Sequence, residues 1–286
     1  MNIAVTGATG QLGGLVVKGL LEKNKADKID KTDKVIAIVR NAQKAEPLAA
    51  QGVEVRVADY GDPAALETAL AGVDRLLLVS SSEVGQRTAQ HGNVIDAAKA
   101  AGVKHLVYTS VAKAATSPLV LAPEHKATEE LILKSGLAYT LLRNNFYTDV
   151  FREHIETARQ SGAIIGAAGS GRVASATRAD FAEAAVAVLL GAGHEGKTYE
   201  LTGERAWSYA DLADVVGEII GKAVTYNDMD ADTFVDVLRS FGMDADTAGF
   251  YAAIDRNIAE GALSEVTGDL AALLGRVPTP LKQGLM

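Results

Sequence analysis

A short apolar run at residues 3–6 leads directly into Gly7-Ala8-Thr9-Gly10-Gln11-Leu12-Gly13, and a helical pattern starts at once. Nothing else in the 286 residues restricts the fold as tightly. Three glycines at this spacing between a strand and a helix suit one local geometry. Gly7 permits the tight turn, Gly10 lets a ligand come close to the backbone, and Gly13 lets the helix pack against the strand. The helix N-terminus offers unpaired N–H groups and a positive dipole end, which suits phosphate. The motif therefore predicts the first strand–helix unit of a dinucleotide-binding sheet.

The first half of the chain repeats that alternation. Apolar, β-branched runs at 35–39, 53–58, 76–80, 105–109 and 139–143 predict five more strands. They are continuous rather than alternating, as in strands buried on both faces of a parallel sheet. Helical patterns at 11–22, 64–70 and 87–100 lie between them, and glycines at 72, 102 and 136 suit helix ends. The expected class is α/β, a doubly wound parallel sheet of Rossmann type with a smaller, mostly helical C-terminal region. A boundary near residue 150 separates 1–150 from 151–286, with the second part partly interwoven with the first. Past it, a Gly/Ala-rich stretch at 162–171 precedes a helix at 178–190, a strand at 198–201 and a helix at 208–219 opened by Ser208. Residues 228–275 read as largely helical, broken at Gly242 and Gly268.

Composition narrows the function classes. A net charge of -8 argues against a nucleic-acid surface, which needs clustered Lys and Arg. The Lys-rich stretch at 23–34 interleaves Asp27, Asp30 and Asp33 and reads as a solvated connection. Cysteine is absent, which excludes disulfides, thiolate catalysis and cysteine-held iron–sulfur clusters. The five histidines are not spaced as a metal pair, so no metal is expected. The start of the chain lacks a signal-peptide pattern and its apolar runs are too short to span a bilayer. The expectation is no membrane partner and a cytoplasmic location.

The strand ends carry the cofactor preference. Sites selective for NAD place an acid after the second strand to grip the ribose hydroxyls. Here that strand ends Ile38-Val39-Arg40-Asn41. Arg40 can meet a 2′-phosphate with a fork of donors, which selects NADPH; a solvated surface arginine is the alternative. Asp59 can accept from an adenine amino group, and Asp62 before Pro63 reads as a helix N-cap. Ser80, Ser81 and Ser82 follow the fourth strand, and Thr109 and Ser110 the fifth. These are the positions where such sheets bind ligands, although turn formation explains the serines equally well.

The segments VTGATGQLG, AIVRN, ADYGDP, LLLVSSSEVGQR, YTLLRNNFY, SATRADFAEAA and GHEGKTYELTG together resemble the NmrA-like group of atypical short-chain dehydrogenases. The likeness runs over essentially the whole chain. It implies NADPH contacts at Gly7, Thr9, Gly10, Gln11, Leu12 and Arg40, at Ser80, Ser81 and Ser82, at Asn144, Asn145, Phe146 and Tyr147, and at Ser175. Phe146 and Tyr147 either wall the nicotinamide or pack as core at a helix start. The Tyr-x-x-x-Lys pair of short-chain dehydrogenases is missing after the fifth strand. His125 falls where isoflavone-reductase-like relatives keep a catalytic lysine. With an ordinary pKa it can donate a proton at neutral pH; otherwise it is a surface histidine near a helix start.

The resemblance further implies direct hydride transfer from NADPH to a planar, quinone-like acceptor, without flavin or metal, with His125 or water protonating the product. A quinone carbonyl is already electrophilic, so the missing Tyr–Lys pair suits it. Reduction of triphenylmethane dyes is the near alternative. Binding of NADP(H) without catalysis, as in a redox-sensing regulator, is the distant one. The sequence is compatible with a homodimer.

Overall fold

The structure, a computed structural model, describes residues 1–25 and 34–286. The stretch read as a solvated connection lies for the most part outside the described residues. In chain order the elements are β1 (Asn2–Thr6), α1 (Gln11–Lys25), β2 (Lys34–Val39), α2 (Glu46–Ala49), β3 (Glu54–Val57), α3 (Pro63–Leu70), β4 (Arg75–Leu78), α4 (Arg87–Ala100), β5 (His105–Val111), α5 (Ala122–Ser135) and β6 (Tyr139–Asn144). They continue as α6 (Glu153–Ser161), β7 (Ala163–Gly166), β8 (Arg172–Val173), α7 (Arg178–Leu190), β9 (Lys197–Leu201), β10 (Trp207–Ser208), α8 (Tyr209–Ile220) and β11 (Thr225–Asp228). Four helices follow: α9 (Ala231–Ser240), α10 (Ala245–Ala259), α11 (Asp269–Leu274) and α12 (Leu281–Leu285).

The chain divides into two compact units. The first comprises Met1–Ala114, Pro123–Asn144 and Arg178–Glu200; the second comprises Ala115–Ala122, Asn145–Thr177 and Leu201–Met286. Arg178–Glu200 lies past the boundary expected near residue 150 yet belongs to the first unit, because α7 packs on α1. A Cβ on Gly19 of α1 would stand 3.1 Å from Val186 of α7, so the absent side chain permits that approach.

In the first unit the sheet order is β3-β2-β1-β4-β5-β6-β9. The pairs from β3 through to β6 are all parallel; Val5, for example, lies between Ala37 and Leu77. This is the doubly wound α/β (Rossmann) architecture expected. Every residue of β5 is buried, as continuous apolar strands require. β3 departs from that expectation: at the sheet edge it is only partly buried and carries Glu54 and Arg56. An edge strand has one side without a neighbour, so charge is tolerated there. Leu66 and Leu70 of α3 and Val94 and Ile95 of α4 join Leu76, Leu78, Leu106 and Tyr108 in one buried cluster. Asp62 caps α3 by accepting from the Ala65 N–H, with Pro63 at the first helical position. The strand order reverses between β1 and β4, which places the ligand crevice of such a sheet at their carboxyl ends.

The second unit is mostly helical. It holds two small sheets, β7 beside β11 in parallel and β8 beside β10 antiparallel. Strands of two to four residues carry no usable periodicity, so the sequence does not reveal them. Ser208 opens α8 with a capping box completed by Asp211. Among the described residues no helix is long and apolar enough to cross a membrane.

Candidate functional site

The glycine turn is built as its spacing dictates. Gly7 has φ +57°, the left-handed region, and its carbonyl accepts the Gly10 N–H at 2.8 Å. Gly13 stands against the same carbonyl: a Cβ there would collide with Gly7 O and lie 2.8 Å from its carbonyl carbon. Gly7, Thr9, Gly10 and Gln11 are exposed, while Leu12 is buried and anchors the helix inward. A Cβ on Gly10 would lie 3.1 Å from Gly7 O, so the bare backbone leaves a shallow cradle. The first turn of α1 carries no acidic residue to repel an anion. These features fit a pyrophosphate held by backbone N–H groups.

Arg40 directly follows β2 with an exposed side chain, and its Nη1 meets Glu83 Oε1 at 2.6 Å. Asp59 is exposed after β3, but its Oδ1 accepts the Gly61 N–H at 2.7 Å and shapes the turn. The neighbouring Tyr60, which the sequence does not single out, donates its hydroxyl to the Val79 carbonyl at 2.8 Å and lies 2.5 Å from Thr6 Oγ1. It thereby ties the ends of β1 and β4. The Ser80–Ser82 loop is gripped by α4 and β5. The Ser80 N–H donates to Thr109 Oγ1 at 2.9 Å, and the Ser81 hydroxyl donates to Gln90 at 2.5 Å. Arg87 Nε donates to the Ser81 carbonyl at 2.8 Å, and the Ser81 N–H donates to His91 Nε2 at 2.9 Å. Ser82 is exposed. Arg87, Gln90 and His91 stand at i, i+3 and i+4 on α4, so one helix face holds the loop. That spacing was the available signal for residues the sequence reading missed.

Four of the expected site residues have partners within the protein. His125 is buried rather than on the surface, 5% exposed, with Nδ1 2.7 Å from the Tyr108 hydroxyl. Burial, with Arg87 nearby, pulls its pKa down to about 3, so it is neutral at physiological pH and is not the ready imidazolium donor expected. Ser110 turns inward from β5 and donates to Glu129 at 2.6 Å, because a buried carboxylate there needs donors. In the second unit, Asn145 and Ser175 are taken up internally. Asn145 donates from Nδ2 to the Leu263 carbonyl at 3.2 Å, and its Oδ1 accepts the Phe146 N–H at 2.7 Å. Ser175 Oγ accepts the Trp207 indole N–H at 3.0 Å and lies 2.8 Å from Thr148 Oγ1. Phe146 and Tyr147 are half-buried, and Tyr147 bridges to Ala176. Asn144 closes β6 in the first unit, where its carbonyl accepts the Ala112 N–H at 3.0 Å. Its buried Oδ1 has no hydrogen-bond partner among the described residues, which is uncommon for a buried polar atom. No group of three or more His, Asp or Glu suited to a metal ion occurs among the described residues.

His91 is also held near a pKa of about 3 by burial, with Arg87 adding to the effect. Its Nδ1 faces Thr128 Oγ1 at 2.9 Å, whose own hydroxyl donates to the Glu124 carbonyl, so Nδ1 is the protonated nitrogen. Both histidines are neutral when folded, whereas the unfolded chain protonates them below about pH 6.5. The unfolded state then binds more protons, so stability is full above that pH and falls as pH drops toward 3. The expected slope is about 1.4 kcal/mol per pH unit for each histidine. Urea midpoints taken across this range check it; a flat profile would remove the buried neutral pair.

The NmrA-like family matches residues 1–257. Over 283 residues the chain is 49% identical to quinone oxidoreductase 2 of Escherichia coli (strain K12), covering 99% of this chain and 97% of that protein. An NAD(P)H azoreductase of Xenophilus azovorans is 32% identical over 78% of this chain and 76% of its own length. Among solved structures, the Escherichia coli NADPH-dependent quinone oxidoreductase complexed with NADPH gives a TM-score of 0.93 at 49% identity, covering 99% of this chain and 98% of that one. Citrobacter sp. triphenylmethane reductase gives 0.94 at 43% identity, covering 100% and 98%. On a family match that spans most of its length and a near-complete alignment at 49% identity, the chain belongs to the NmrA-like family.

Proposed function

We propose that this protein reduces quinones with NADPH, by direct hydride transfer to a planar acceptor without flavin or metal. The observation that carries the reading is the exposed glycine turn at the carboxyl end of β1, with an exposed arginine closing the adjacent β2. The likeness to an NADPH-dependent quinone oxidoreductase supports the acceptor class. NADPH supplies the hydride when bound. Backbone N–H groups at the start of α1, from Gln11 and Leu12, hold the pyrophosphate, and Arg40 takes the 2′-phosphate. The Ser80–Ser82 loop and Asn144 orient the remainder. Because His125 is neutral and buried, water is the proton source.

NADPH oxidation followed with and without a benzoquinone or naphthoquinone tests the activity. Acceptor-dependent oxidation supports it, and tight NADPH binding with no oxidation by any acceptor would favour a sensor instead. Reduction of triphenylmethane dyes is the second reading, favoured by the likeness to the Citrobacter enzyme, and turnover on quinone against dye separates the two. Arg40→Ala is expected to weaken NADPH binding by about 1–3 kcal/mol, in the range of a charge-assisted contact, and to leave NADH binding nearly unchanged. Fluorescence titration with both cofactors measures this; equal losses would remove the 2′-phosphate assignment. The reading includes a cytoplasmic location and admits a homodimer, which cell fractionation and light scattering check.

A further inference from the structure

We propose that Glu83 sets the cofactor preference by competing with the 2′-phosphate for Arg40. The inference rests on the 2′-phosphate reading of Arg40 and adds a second residue to it. β2 and β4 are the two neighbours of β1 in the sheet. Strands separated by one other strand stand about 10 Å apart. Arg40 follows β2, Glu83 follows β4, and their side chains close that gap at 2.6 Å. The ion pair therefore spans the carboxyl end of β1, the strand that runs into the glycine turn.

The two partners are held unequally. Glu83 is fixed from α4: its Oε2 accepts from Gln90 Nε2 at 2.7 Å, and its N–H donates to Ser81 Oγ at 3.2 Å. Ser81 is itself gripped by Arg87, Gln90 and His91. The guanidinium of Arg40 has Glu83 as its carboxylate partner and is otherwise exposed at the end of β2. A 2′-phosphate brings two negative charges to a cation already engaged by a carboxylate. NADPH must draw Arg40 off Glu83 before the arginine serves it fully. NADH brings a hydroxyl at that position and has no such need. Glu83 thus narrows the preference for NADPH that Arg40 creates.

The test is a cycle of Glu83→Gln, Arg40→Ala and the double variant, with Kd measured for NADPH and NADH by fluorescence titration. Gln at 83 keeps the shape and the contact with Gln90 while removing the charge. Glu83→Gln is expected to tighten NADPH about three- to tenfold at low salt, with NADH changed less than about twofold, and the gain should shrink at high salt. In the Arg40→Ala background the gain should fall below about twofold, since there is no guanidinium left to release. Unchanged or weaker NADPH binding in Glu83→Gln overturns the proposal, as does an equal shift for both cofactors, which would mark a loop-shaping role. A gain that persists without Arg40 overturns it too. If Arg40→Ala weakens both cofactors equally, the 2′-phosphate reading itself falls. If it weakens NADPH alone while Glu83→Gln gains nothing, only the role of Glu83 falls.

Discussion

Gly13→Ala is expected to destabilise the protein by about 3 kcal/mol and to weaken NADPH binding at least about tenfold, whereas Gly10→Ala should weaken binding with little loss of stability. The two glycines differ in what a methyl group meets. At position 13 it collides with Gly7 O and comes within 2.8 Å of the Gly7 carbonyl carbon and 3.1 Å of Ala8 Cα, all backbone. A flexible side chain can step aside, but a turn carbonyl that already accepts the Gly10 N–H cannot. α1 must then lift off β1, and the helix N-terminus leaves its phosphate-binding position. At position 10 the nearest atom is again Gly7 O, but at 3.1 Å the overlap is small and is relieved by a shift of a few tenths of an ångström in the exposed Gly10 itself. Gly10 is exposed, so an added methyl crowds the surface on which the pyrophosphate is proposed to lie. Urea midpoints and NADPH titrations on both variants check the contrast. A wild-type midpoint for Gly13→Ala would remove the packing role assigned to that glycine.

Glu129→Ala is expected to cost about 1–3 kcal/mol, because it leaves the buried Ser110 hydroxyl without its acceptor and the half-buried Arg143 with Glu200 alone. Glu129 is 4% exposed. It accepts from Ser110 Oγ at 2.6 Å and from Arg143 Nε and Nη2 at 2.9 and 2.6 Å. Arg143 also donates through Nη1 to Glu200 at 2.9 Å. The hydrogen bond to Glu129, reinforced by Glu200, raises the pKa of Arg143 above its ordinary value. Glu200 in turn accepts the Lys113 N–H at 3.0 Å, and Lys113 sits at φ +51°, a left-handed conformation that costs a side-chain-bearing residue energy. The network thus joins α5, β6 and β9 to the chain leaving β5. Glu129→Gln retains an acceptor oxygen for Ser110 or Arg143 and should cost roughly half as much. Denaturant unfolding of the two variants tests the ordering. Equal, small losses for both would mean that the carboxylate does not hold the network.

The chain's local rules account for what its sequence determined. Continuous apolar runs, the spacing from Gly7 to Gly13, the Asp62–Pro63 cap and the Ser208 cap each depend on residues within one or two turns of each other, so they are visible in linear order. Together they define a doubly wound α/β sheet with a dinucleotide cradle at β1. The sites beyond that cradle depended on partners distant in sequence. Ser110 turns to Glu129 and His125 meets Tyr108 in a dry interior. Ser175 faces Trp207, and Arg40 finds Glu83 across β1. A hydroxyl, an imidazole or a guanidinium has the same composition whether it faces a ligand or a buried carboxylate. Only the folded chain decides, because burying a polar group without a partner costs free energy, and the partner that prevents that cost is supplied by strand order and helix packing rather than by neighbouring residues.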